Sequence, residues 1–181
     1  MMILVTGGAA SGKSEYAENL LLQLAQGKKK TYLATMQRDG HEADARIARH
    51  RQLRAGKGFD TVECPVSVAG AAKDCRPAVL LECLSNLTAN EMFGDTIKNN
   101  VADKIAGEVA VLSGQVELLV VVTNEVFSDG LFYEGDTLTY IRELGRANRM
   151  LAELADAVVE VVYGIPLWHK GSLGEEGIQN K

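Results

Sequence analysis

The chain has 181 residues, 46% hydrophobic and 24% charged, the size and composition of one compact globular domain rather than of a fibrous or disordered chain. Its formal net charge of −5 argues against a surface that binds phosphate backbones by counterion release, so nucleic acid is excluded as an expected partner. No stretch approaches the length of a membrane span, and the opening Met1 to Gly8 lacks the cationic start and cleavage site of a signal peptide, so a cytoplasmic location is expected.

Met2 to Thr6 is a short, continuous apolar run closed by Gly7 and Gly8, the pattern of a strand buried on both faces of a parallel sheet. From Lys13 to Leu24, the apolar residues Tyr16, Ala17, Leu20, Leu21 and Leu24 recur at helical spacing, and Gly27 with the lysines after it closes the pattern. Further strands are expected at Thr31 to Ala34, Ala78 to Leu81, Leu118 to Val122 and Val158 to Val162, with a weaker one at Thr61 to Cys64. Helical periodicity is clearest at Glu42 to Arg54, Ile97 to Leu112 and Leu138 to Leu154. Strands alternating with helices predict an α/β fold with a mostly parallel central sheet and helices on both faces. Residues 1–170 read as one catalytic domain, and the polar, glycine-rich tail at 171–181 is expected to be mobile. The three cysteines, Cys64, Cys75 and Cys83, form no metal-ligand spacing and read as buried thiols in a reducing compartment.

Gly7, Gly8, Ala9, Ala10, Ser11, Gly12, Lys13 and Ser14 fit the phosphate-loop pattern GxxxxGK[ST], directly after a buried strand and opening a helix, as that motif requires. Glycines let the backbone curl so that its N–H groups face phosphates, and the helix N-terminus adds positive potential. Lys13 is expected to reach the β and γ phosphates of a nucleoside triphosphate, and Ser14 to place its hydroxyl on Mg²⁺. The fold class expected is therefore P-loop NTPase-like.

A phosphate loop is ordinarily served by a carboxylate at the end of a nearby strand. Glu82, closing the Ala78 to Leu81 run, is the candidate for the metal; hydrogen bonding to the nucleoside and a plain solvated strand end are the alternatives. The Asn-Lys-x-Asp element that gives switch GTPases their guanine specificity is replaced here by Thr123, Asn124, Glu125 and Val126, which argues against that class.

Arg46, His50 and Arg54 stand four residues apart, so they share one face of the expected helix. Two guanidiniums disfavour the imidazolium and leave a neutral nitrogen free as nucleophile or base, while the arginines can clamp phosphate oxygens. An ordinary solvated basic face has the same pattern. Arg142, Arg146 and Arg149 form a third stripe, which reads as a solvated or interface face.

Five stretches in order resemble one family: Ile3 to Ala9 with Ser11 to Ser14, Tyr32 to Thr35, Ala45 to Ile47 with His50, Leu80 to Ser85, and Val121 to Val126. Arg142, Gly145 and Asn148, then Ala155 and Asp156, continue the likeness. The chain is similar over nearly its whole length to the bifunctional adenosylcobinamide kinase / adenosylcobinamide-phosphate guanylyltransferases of cobalamin biosynthesis. The resemblance implies a homotrimer that uses ATP and GTP with Mg²⁺, phosphorylates the corrinoid adenosylcobinamide, and then transfers GMP from GTP onto that phosphate. It also implies a covalent histidine-GMP intermediate on His50, with Lys13 beside the leaving group. Two places depart from the family: Ala10 and Glu15 stand where it usually carries arginines, and Phe127 to Tyr133 replaces its Gly-x-Gly-Ile-Val-Pro, with Gly130 alone keeping the glycine character. Guanylyl transfer without the kinase, another P-loop small-molecule kinase, and a non-catalytic nucleotide-sensing module are the competing readings.

Overall fold

The computed structural model describes residues 1–37, 56–94, 100–128, 130–174 and 177–179. Seven strands form one sheet in the order β3-β2-β4-β5-β1-β6-β7, where β1 is Met2–Thr6, β2 Lys30–Ala34, β3 Phe59–Glu63, β4 Ala78–Leu81, β5 Leu118–Val122, β6 Ala157–Val162 and β7 Ile165–Lys170. Every pairing is parallel except that of β7 with β6, so the expected mostly parallel sheet is present.

The alternation of side chains along each strand divides the core in two. Ile3 and Val5 of β1, Leu80 of β4 and Val120 of β5 pack against Ala17, Leu20 and Leu21 of α1, which spans Lys13–Ala25. Met2, Leu4, Leu81 and Val121 point to the other face, where they meet α2 (Leu84–Met92), α3 (Val101–Gln115) and α4 (Gly135–Leu154) through Leu87, Ile105, Leu144 and Leu151. Burying each such Leu or Ile stabilises by about 1.5–3 kcal/mol, which explains why these strands are apolar on both sides.

The chain leaves β1 through α1 on one face toward β2, and leaves β5 through α4 on the other face toward β6. Strand order thus reverses at β1, and the crevice outside its carboxyl end is where open α/β sheets bind ligands. Asp156 fixes the opposite end of β1, accepting from the Met2 amide at 2.7 Å while its own amide donates to the Met2 carbonyl at 2.9 Å.

The helix expected at Ile97 to Leu112 runs over Val101–Gln115, with residues 97–99 of the expectation outside the described residues; the helix expected at Leu138 to Leu154 runs over Gly135–Leu154, and the weak strand over Phe59–Glu63. Among the described residues, α2, a 3-10 turn at Val68–Asp74 and β7 carry no sequence expectation, and neither do two short strands in the tail. The α2 helix has nine residues, too few for periodicity to identify it, and begins where the Cys83 sulfur accepts from the Asn86 amide at 3.4 Å. Within the tail, Ser172–Gly174 and Gly177–Gln179 pair as antiparallel strands β8 and β9. The expected helix at Glu42 to Arg54 lies outside the described residues.

Candidate active site at the phosphate loop

Residues Gly7 to Ser14 connect β1 to α1 as a tight loop. Gly12 precedes the helix at φ 90° with no side chain capping it, which leaves the first amides of α1 available to an anion. Gly7 is required by space: a Cβ there would stand 2.6 Å from the Ser11 hydroxyl and 2.6 Å from the Val161 carbonyl oxygen. Within the loop the Ser11 amide donates to the Gly8 carbonyl at 3.3 Å, and Ala10 takes a left-handed φ of 56°.

Lys13 folds back over the loop, its ammonium donating to the Gly8 carbonyl at 3.0 Å. Burial draws its pKa below the ordinary lysine value, while the neighbouring Cys83 thiol acts in the opposite direction. A polyanion arriving here therefore meets a partly desolvated cation, whose interaction is stronger than that of a solvated one. Ser14 is exposed in the first turn of α1, and Ala9 and Ala10 are exposed at the loop tip. Ser11 keeps its hydroxyl buried without a hydrogen-bond partner, an orphan polar atom inside the cradle.

Sheet register places Glu82 relative to this loop. Val5 lies opposite Val122, and Leu81 opposite Val121, so Glu82, one residue further, is level with the end of β1. Strand β5 intervenes, and two strand spacings make a lateral separation of about 10 Å. The Glu82 amide is fixed by the Leu33 carbonyl at 3.1 Å, and the side chain is half-buried. Among the described residues, no group of three or more His, Cys, Asp or Glu could hold a metal by itself. The Ser14 hydroxyl and Glu82 carboxylate are hard oxygen donors, and this sparse set suits Mg²⁺, which keeps phosphate and water among its ligands.

The segment after β5 fills the space between loop and Glu82. The Glu125 amide donates to the Gly7 carbonyl at 3.0 Å, joining this segment to the phosphate loop. Buried Thr123 donates to Asn148 of α4 at 2.7 Å, and Asn148 donates back to the Asn124 carbonyl at 3.4 Å. Asn124 donates to the Ser85 hydroxyl at 2.9 Å, and Tyr140 to the Ser85 carbonyl at 3.3 Å. Thr35 reaches the same corner, donating to the Cys83 carbonyl at 2.9 Å. One polar network therefore ties the ends of β2, β4 and β5 to α4, with the phosphate loop attached through Gly7.

The structure thus gathers the sequence-predicted Gly7, Gly8, Ala9, Ala10, Ser11, Gly12, Lys13, Ser14 and Glu82 at the carboxyl end of the sheet. Arg46, His50 and Arg54 lie outside the described residues. Of the late arginine stripe, Arg146 forms surface ion pairs, held by Glu143 at 2.9 Å and by Asp103 of α3 at 2.8 Å. Sequence reasoning gave no role to Thr123, Asn124 and Asn148. The signal was the abrupt change to polar residues at the close of the β5 run, where an internal residue can satisfy only inward partners.

A family model described as cobinamide kinase / cobinamide phosphate guanyltransferase matches residues 3–168. The chain belongs to this family. Among curated relatives, the bifunctional adenosylcobalamin biosynthesis protein CobU of Salmonella typhimurium is 36% identical over 183 residues, covering 91% of this chain and 97% of that one. The Escherichia coli protein of the same name is 36% identical over 181 residues at the same coverage, and the Pseudomonas aeruginosa protein CobP is 28% identical over 183 residues, covering 94% of this chain and 98% of that one. A solved KaiC-like protein of Pyrococcus horikoshii superposes at a TM-score of 0.52 with 11% identity, covering 99% of this chain and 88% of that one. That likeness concerns the fold alone.

Proposed function

We propose that the chain phosphorylates adenosylcobinamide with a nucleoside triphosphate and then transfers GMP from GTP to adenosylcobinamide phosphate, giving adenosylcobinamide-GDP. The observation that carries this reading is a formed phosphate loop, with Lys13 folded over it, in a chain that matches the family from residue 3 to residue 168.

In the first reaction the aminopropanol hydroxyl attacks the γ-phosphorus: a new P–O bond forms, the bond to the β,γ-bridging oxygen breaks, the nucleoside diphosphate leaves with that electron pair, and the hydroxyl proton passes to water. In the second, His50 attacks the α-phosphorus of GTP; a P–N bond forms and pyrophosphate departs with the electron pair of the broken P–O bond. An oxygen of adenosylcobinamide phosphate then attacks the same phosphorus and releases His50. Lys13 and the amides opening α1 bear the negative charge that accumulates on the phosphate oxygens, and Arg46 clamps them. Ser14 and Glu82 would hold Mg²⁺, which neutralises phosphate charge when bound.

The corrinoid needs a broad apolar surface, and the loop after β5 offers one: Phe127, Leu131 and Phe132 are 43%, 66% and 102% exposed. This loop is attached to the phosphate loop through Glu125, which caps its own turn by accepting from the Phe127 amide at 2.8 Å and from Ser128 at 3.0 Å. The same segment replaces the family's usual glycine-rich one, and Glu15 adds an exposed carboxylate to the first turn of α1 beside the phosphates. Those features favour a second reading, guanylyl transfer without the kinase step. A homotrimer in the cytoplasm completes the reading, and light scattering of the purified protein checks the trimer.

The test is turnover: adenosylcobinamide with ATP, GTP and Mg²⁺, followed by mass analysis of the corrinoid. The reading predicts successive gain of phosphate and GMP. Conversion of supplied adenosylcobinamide phosphate, but not of adenosylcobinamide, selects the second reading; conversion of neither refutes both.

A further inference from the structure

The turn between β6 and β7 lies against the phosphate loop. The Gly164 amide donates to the Ser11 carbonyl at 2.8 Å, and a Cβ on Gly12 would stand 3.4 Å from the Gly164 Cα. Val162 pairs with Ile165, so Tyr163 and Gly164 are the two central residues of a hairpin turn, with φ 51° and 80°. Positive φ at both positions is the type I′ requirement, which Asn-Gly meets without strain and a bulky aromatic does not. Nevertheless a tyrosine occupies the first position, 93% exposed, followed by Ile165 at 61%. The hairpin is anchored behind it by Trp168, which packs on the α1 side of the core. An outlier of this kind, held by its surroundings and exposing an aromatic ring, concentrates at ligand sites.

A nucleotide seated on this loop places its phosphates at the start of α1 and extends its base away from them. The turn borders the loop at Ser11 and Gly12, and it presents an aromatic ring, which stacks with any base because every base has a π-face. We propose that Tyr163 is the stacking platform for the nucleobase of the phosphate-loop nucleotide, with Ile165 extending it. This inference rests on the phosphate-loop reading above. A platform that stacks without reading hydrogen-bond edges accepts adenine and guanine alike, as an enzyme using ATP and GTP at one loop requires.

The experiment is calorimetric titration of wild type, Tyr163→Phe and Tyr163→Asn with GTP, ATP and inorganic tripolyphosphate, all with Mg²⁺. Tyr163→Asn installs the residue the turn prefers, so it folds at least as stably as wild type, which thermal unfolding checks. The expected result is a loss of about tenfold in affinity for both nucleotides in Tyr163→Asn, the scale of one stacked base. Tripolyphosphate binding stays at the wild-type level, and Tyr163→Phe stays near wild type throughout. Unchanged GTP affinity in Tyr163→Asn overturns the platform, as does an equal loss for tripolyphosphate, which would mean that the turn acts through the loop. Wild-type protein that binds neither nucleotide nor tripolyphosphate removes the phosphate-loop reading and this inference together.

Discussion

Replacing Gly7 by alanine places a methyl group 2.6 Å from the Ser11 hydroxyl and 2.6 Å from the Val161 carbonyl oxygen. The serine can rotate, but the carbonyl is backbone of β6, paired through Val5 and Val159 to β1, so it cannot retreat without shifting the sheet. The loop must move instead, and overpacking of this kind costs about 1–3 kcal/mol. With a urea slope of about 1–3 kcal/mol/M, the midpoint falls by about 1 M. The displaced loop also loses the Glu125 amide donated to the Gly7 carbonyl, and the misaligned cradle weakens GTP binding by about tenfold or more, each factor of ten being about 1.4 kcal/mol. Gly8 is the stability control: a Cβ there meets nothing within 4 Å, so Gly8→Ala keeps the wild-type midpoint. Urea denaturation followed by circular dichroism, with GTP titration of each variant, makes the comparison. A Gly7→Ala protein with wild-type midpoint and GTP affinity would refute the close-packing account of this loop.

Asn148→Leu strands the buried Thr123 hydroxyl and is expected to lower stability by about 1–3 kcal/mol in urea, whereas Asn148→Asp keeps an acceptor for Thr123 and loses less. Lys104→Met leaves Glu91, 1% exposed and otherwise bonded by the Ser67 amide at 2.8 Å, without its ammonium partner, and is expected to cost about 2–3 kcal/mol by denaturant midpoint. Burial raises the Cys75 thiol from 9.0 to about 11, and burial also raises Cys64 and Cys83, so all three react slowly with iodoacetamide at neutral pH in the native state and quickly in urea. Because the Cys75 pKa is raised on folding, its contribution to stability is complete below about pH 9 and disappears as pH rises through about 11, which a set of unfolding curves across that range detects.

The parallel core was legible because strands buried on both faces leave uninterrupted apolar runs, as at Leu118–Val122. The phosphate loop was legible because its chemistry restricts residue type at fixed spacing. What escaped was set by tertiary context. Strand β7 alternates exposed Ile165 and Leu167 with half-buried Pro166 and Trp168 at the sheet edge, and its proline and exposed face conceal it from any continuous apolar pattern. The closing turn breaks its own sequence preference at Tyr163, so no Asn-Gly marks the hairpin. The network through Thr123, Asn124, Ser85 and Asn148 joins residues distant in the chain; each is an ordinary polar side chain until the sheet order brings β4 beside β5.

The most direct test of guanylyl transfer is intact mass spectrometry of the purified protein after incubation with GTP and Mg²⁺, alongside His50→Ala treated identically. The account predicts a gain of one GMP on the wild type and none on the variant. A wild-type protein that gains no GMP, or a variant that still gains it, would contradict the assignment of His50 as nucleophile.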